Sequence, residues 1–127
     1  MLEGGSVRSI ERLTGTHRDT ILRLLVQVGA DCEKFLQMKI HAVPVDEVQC
    51  DEIWGFCYAK QKNVPVDKQG QFGFGDVWTW TAIDPDSKLV LSWLVGLRNA
   101  KWANAFMKDV AKRLTNRVQL TTDGHKA

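Results

Sequence analysis

The chain has 127 residues, the length of one ordinary domain or of a small domain joined to part of another. Hydrophobic residues make up 44% and charged residues 25%, enough for a packed core, and the formal net charge of +2 is too small to mark a nucleic-acid partner by itself. No apolar run approaches a membrane span, Met1-Leu-Glu-Gly-Gly has no secretory pattern, and Cys32, Cys50 and Cys57 form no Cys-x-x-Cys pair, so a cytoplasmic chain with reduced thiols and no membrane partner is expected.

From Ser6 to Gly29 apolar residues recur at helical spacing: Val7, Ile10 and Leu13, then Ile21, Leu24, Leu25 and Val28. Thr14-Gly15-Thr16 interrupts them. Ser6 and Thr16 are good N-caps, and Gly15 suits a tight turn in the left-handed conformation. This predicts a helix-turn-helix with Ile21 and Leu24 facing the first helix. The second helix of such a motif enters the major groove. Its outward positions hold His17, Arg18, Asp19, Leu22 and Arg23, with Arg18 and Arg23 suited to guanine edges or phosphates. Arg8 and Arg12 on the first helix suit the DNA backbone. A helical hairpin serving only protein contacts is the plainer alternative.

The pattern weakens from Asp31, and Pro44 marks a boundary. Three strand-like runs come next, Val48–Ala59, Val77–Asp84 and Leu89–Gly96, the last two joined as a hairpin by Asp84-Pro85-Asp86-Ser87. Asn63–Gly75 reads as an exposed loop. Asn99 caps a helix with an apolar stripe of Ala103, Phe106, Met107, Val110 and Leu114, and Val118–Thr122 is a last short strand. Five tryptophans, at 54, 78, 80, 93 and 102, are many for this length; core packing is the expected use and base stacking the alternative.

Two aspartates stand out. Asp51 falls within a strand, where a buried charge is costly unless paired, hydrogen-bonded or bound to metal. Asp123 follows a short strand directly before Gly124, at a strand end of the kind where α/β folds hold ligands. Carboxylates brought together from adjacent strands can hold Mg²⁺ for phosphodiester chemistry, whose transition state spreads charge over oxygens. Singly, each reads as an edge-strand or turn aspartate. Glu52 points to the other face and suits a salt bridge or solvent. Asp76, Asp84 and Asp86 read as loop and turn residues, and His125 as a phosphate-orienting or plain surface histidine.

The motifs Cys50-Asp-Glu-Ile-Trp54, Tyr58-Ala-Lys-Gln-Lys62, Gly75-Asp-Val-Trp-Thr-Trp80, Ser92-Trp-Leu-Val-Gly96 and Thr121-Thr-Asp-Gly-His125, together with Asp84, succeed one another in an order that resembles the bacterial DDE transposases of the insertion-sequence-one group and its relatives. The resemblance spans nearly the whole chain. It implies an RNase H-like catalytic domain that cuts and joins double-stranded DNA at element terminal repeats, a homo-oligomeric parent enzyme, and Mg²⁺ or Mn²⁺ held by Asp51 and Asp123 as the first and second catalytic aspartates. The family's third acidic residue falls downstream of Ala127, so the resemblance is to a truncated piece of such an enzyme, with weak metal binding expected.

The expected fold is therefore α/β. Residues 1–45 hold a helix-turn-helix DNA-binding segment and linker, and residues 46–127 the first half of an RNase H-like domain with a mixed, incomplete sheet. The expected function is metal-dependent DNA strand cleavage and transfer by a transposase fragment. The alternative is a non-catalytic DNA-binding fragment or decayed remnant that occupies element ends or represses transposition.

Overall fold

A computed structural model describes residues 4–122. It is mixed α and β and divides into two compact units, Met1–Lys39 and Ile40–Ala127. No helix among the described residues is long and apolar enough to cross a membrane.

The first unit is a helix pair. Helix α1, Val7–Thr14, starts at Ser6, whose side chain accepts from the Ser9 amide at 3.1 Å. It stops at Gly15, with φ of 68°, whose N–H closes the last turn on the Glu11 carbonyl at 2.9 Å. Thr16 does not cap the second helix. Instead α2, Arg18–Lys39, begins with the His17 carbonyl accepting from the Ile21 amide, while Glu11 Oε1 reaches across to the Arg18 amide at 3.0 Å. A carboxylate at a helix N-terminus satisfies a free donor and opposes the positive end of the dipole.

Helix α2 runs ten residues past the expected stop at Gly29. A glycine inside a helix costs only about 1 kcal/mol, and the downstream run of Ala30, Glu33, Lys34, Leu36, Gln37 and Met38 is made of good helix formers. Side-chain contacts one turn apart, Gln27 to Asp31 at 3.1 Å and Gln37 to Glu33 at 3.4 Å, support the extension. Ile21 is the buried residue of the described pair, as expected, but Leu24 is 62% exposed and does not face α1.

The second unit is a four-stranded sheet with one helix. Strand β1, Glu47–Cys57, pairs antiparallel with β2, Gly75–Ile83, which pairs antiparallel with β3, Val90–Gly96. Helix α3, Ala100–Arg113, comes next, and β4, Gln119–Thr122, returns to pair parallel with β1. The order across the sheet is β3-β2-β1-β4, so β1 is central and flanked by one partner of each sense. Between β1 and β2, short 3-10 turns at Gln61–Asn63 and Val66–Lys68 give the expected loop local structure, and Val64 between them is buried.

Alternation along each strand decides which side chains meet α3. Val48, Cys50 and Glu52 share a face with Ala82 and Trp80, their neighbours on β2, and with Ser92 and Leu94 on β3. Helix α3 lays Ala103, Phe106 and Val110 on this face, with Met107 and Leu114 at its margins, as the apolar stripe predicted. Asn99 caps it, accepting from the Trp102 amide at 3.2 Å. Phe106 is 1% exposed and lies 5.8 Å from the Trp80 ring. A polar tie pins the helix: Ser92 Oγ donates to Asp109 at 2.5 Å, Arg113 Nε donates to the same oxygen at 2.7 Å, and Arg113 also reaches the Ile40 carbonyl at 3.3 Å. Ser92 and Arg113 are buried, and each has a partner, which is what makes their burial tolerable.

Candidate functional site

Asp51 sits at the middle of β1, and the strand alternation turns it to the face opposite α3. Its carboxylate is exposed, so the cost of a charge in a buried strand does not arise there. Two contacts hold the residue. Its Oδ1 accepts from the Glu52 amide at 2.8 Å, and its carbonyl accepts from Thr81 Oγ1 across the strand pair at 3.3 Å. An exposed oxygen donor on a central strand fits a hard divalent cation that keeps most of its water, the usual habit of Mg²⁺.

The second expected ligand, Asp123, and the neighbouring His125 lie outside the described residues. The strand that leads to Asp123 is described. β4 pairs with β1 residue for residue, Glu47 with Gln119, Val48 with Leu120, Gln49 with Thr121 and Cys50 with Thr122. Cys50 and Thr122 are the residues immediately before Asp51 and Asp123 in the chain. Among the described residues no three His, Cys, Asp or Glu side chains converge as a ready metal cluster.

Glu52 points the other way, as its position after Asp51 requires. Its side chain is 6% exposed and bonds Arg98 at 3.2 and 3.3 Å. The Arg98 guanidinium in turn lies 5.0 Å from the centre of the Trp78 ring. A buried carboxylate needs such a partner. Arg98 lies just past the end of β3, and the sequence gives no local signal linking it to a residue 46 positions earlier.

A cleft of about 310 Å³ opens between β1, β4 and α3. Trp80 and Phe106 line it together with Met107 and Leu120, and Glu52 and Thr122 contribute polar groups. Cys50 lines it too. Burial, with the nearby Glu52 charge adding to it, pushes its thiol up to about 11, so at neutral pH it is a protonated packing group and not a nucleophile.

In the first unit, Arg8, Arg12, His17, Arg18 and Arg23 are all exposed, on α1, the turn and the first turns of α2. His17 Nδ1 lies 3.3 Å from the Asp19 amide and 3.6 Å from the Asp19 carboxylate. The expected turn at Asp84 is more than a connection. Asp84 is 8% exposed and accepts from the Asp86 and Ser87 amides and the Ser87 hydroxyl. The Ser87 hydroxyl, ahead of those amides, holds its carboxyl below the usual range.

Only one of the five tryptophans, Trp80, is fully buried; Trp54 and Trp93 are about 40% exposed. Core packing therefore accounts for less of the aromatic content than expected. No protein-family model matches the chain, and no curated protein matches it.

Proposed function

We propose that the chain acts on DNA as a transposase of the DDE kind, with an RNase H-like catalytic half and a helix-turn-helix that holds double-stranded element ends. One observation carries this reading. A central β1 bearing Asp51 is paired antiparallel on one side, and on the other it pairs parallel with the strand that leads, after a helical crossover, to Asp123. That is the connectivity needed to bring carboxylates from distant parts of the chain to one strand pair. The exposed arginines of the helix pair support the DNA-binding half.

Asp51 and Asp123 are the residues that would hold Mg²⁺ or Mn²⁺. When bound, such an ion stabilises charge on the reacting phosphate oxygens. The chain's own contribution is positional: Thr81 and the Glu52 amide hold Asp51, and Arg98 keeps the adjacent Glu52 charge engaged on the other face. Arg18 and Arg23 would bind the duplex, with Arg8 and Arg12 at its backbone.

The test is nicking of supercoiled DNA by the full chain in Mn²⁺ and in EDTA, beside the Asp51→Asn and Asp123→Asn variants. The expected result is cleavage that requires the ion and falls by at least about a hundredfold in either variant, with unchanged circular dichroism. Metal-independent cleavage, or an Asp51→Asn protein as active as the parent, sinks the reading. A folded parent that binds duplex DNA yet never nicks it favours the non-catalytic alternative, a DNA-binding fragment working through its arginines.

A further inference from the structure

The far half of β1 carries aromatic rings that the core does not use. Trp54 and Phe56 project from the same face of the strand, and their ring centres are 5.7 Å apart. Tyr58 continues the series just past the strand end and meets Phe74 edge-on at 5.1 Å. Trp54, Phe56 and Tyr58 are 41%, 49% and 64% exposed, and Phe72 in the adjoining loop is fully exposed. Contiguous exposed aromatic surface is uncommon on soluble chains and marks a binding surface when it occurs.

Ammonium groups accompany the rings. Lys60 Nζ lies 5.1 Å from the Trp54 ring centre, and Lys68 Nζ lies 4.9 Å from Tyr58 and 5.2 Å from Phe74. Lys62 is exposed on the same loop. The loop's acid is Asp67, and Asp76, at the start of β2, is occupied in accepting the Gln61 amide at 2.9 Å. Two of its amide side chains are also engaged internally, Gln69 with the Val64 carbonyl and Gln71 with the Asp67 carbonyl. Together the loop and strand present exposed aromatic rings and positive charge.

We propose that this surface binds single-stranded DNA, with bases stacking on Trp54, Phe56, Tyr58 and Phe72 and phosphates lying along Lys60, Lys62 and Lys68. Ring faces accept any base, and the lysines supply the charge complement to the backbone. Spacing argues against a duplex. Residues two apart on a strand stand roughly 6.8 Å apart, about twice the 3.4 Å rise per nucleotide of a stacked duplex strand. The rings therefore match splayed bases of an unpaired strand. Neither Asp51 nor the helix pair takes part, so the proposal stands whether or not the chain cleaves DNA.

The experiment is a fluorescence-anisotropy titration of the full chain, in EDTA, with a labelled oligothymidine of about twelve nucleotides, beside a duplex of equal length and a uridine oligonucleotide. The expected result is binding with quenching of tryptophan emission, and weakening of at least about tenfold in a Tyr58→Ala/Phe72→Ala protein that keeps the parental melting temperature. A Lys60→Ala/Lys68→Ala protein is expected to show a shallower dependence of affinity on salt. Four results overturn the proposal: no binding of oligothymidine, equal loss-free binding by the folded Tyr58→Ala/Phe72→Ala protein, tighter binding of the uridine strand, or a dimer that this double variant dissolves, which would make the rings a contact between copies.

Discussion

At the scale of single residues, two carboxylates tie the stability of the second unit to pH. Burial works to raise the Asp109 carboxyl, but the hydrogen bonds from Arg113 and Ser92, with the Arg113 charge, outweigh it and hold the group below its ordinary value of 3.8. Asp84 is lowered as well, by the Ser87 hydroxyl first. A carboxyl lowered on folding contributes stability that is complete above its unfolded value and disappears as pH falls through the folded one. The chain is therefore expected to lose stability below the ordinary Asp value of 3.8. Urea midpoints measured from about pH 6 down to about pH 2.5 should show the fall, and Asp109→Asn should show a shallower one. Equal slopes for the two proteins would mean that the tie between Ser92, Asp109 and Arg113 contributes nothing pH-dependent.

At the scale of elements, β3 and α3 meet closely at Gly96. A methyl group at Gly96 would stand 2.3 Å from the Trp102 ring, whereas one at Gly29 on α2 would meet nothing within 4 Å. Opposite signs are expected for one chemical change. Gly96→Ala should cost about 1–3 kcal/mol through overpacking, and Gly29→Ala should add roughly 0.5–1 kcal/mol by helix propensity. Denaturant unfolding of the two variants checks both. The strands, the hairpin turn at Asp84 and the Asn99 cap were legible in the sequence because alternation, turn chemistry and capping are local signals. The extent of α2 was not, because Gly29 is a weak stop and the residues beyond it are strong formers. The exposure of Leu24 was hidden for a different reason: helical spacing says which residues share a face, not whether another element covers it. Glu52 was legible as a salt-bridge residue, yet Arg98 was not, since nothing local joins them. Trp54, Phe56 and Tyr58 sit at alternate positions, a pattern open to reading as a ladder on one strand face, but hydrophobicity alone assigned tryptophan to the core.

At the scale of the molecule, the two units differ in how much they bury. Ile21 is the buried residue among those described in the first, while the second gathers Val48, Trp80, Ala82, Leu91, Phe106 and Val110 with their neighbours into one core. Amide hydrogen exchange should reflect this, with protection in β2 and α3 at least about a hundredfold greater than in α1. Equal protection would mean that the helix pair is held by more than its own packing. The parallel pairing of β4 with β1 has a consequence of another kind. Its partners lie roughly seventy residues apart in the chain, whereas β1 pairs with its immediate successor β2, and β2 with β3. During synthesis the antiparallel strands and then α3 can assemble as they leave the ribosome, and β1 must wait with one side bare until Gln119–Thr122 emerges. Closing so long a loop late makes this step the slow one in folding. Until it happens, β1 is an open edge along Glu47–Cys50, and the newly made chain is most prone to stick to its neighbours there.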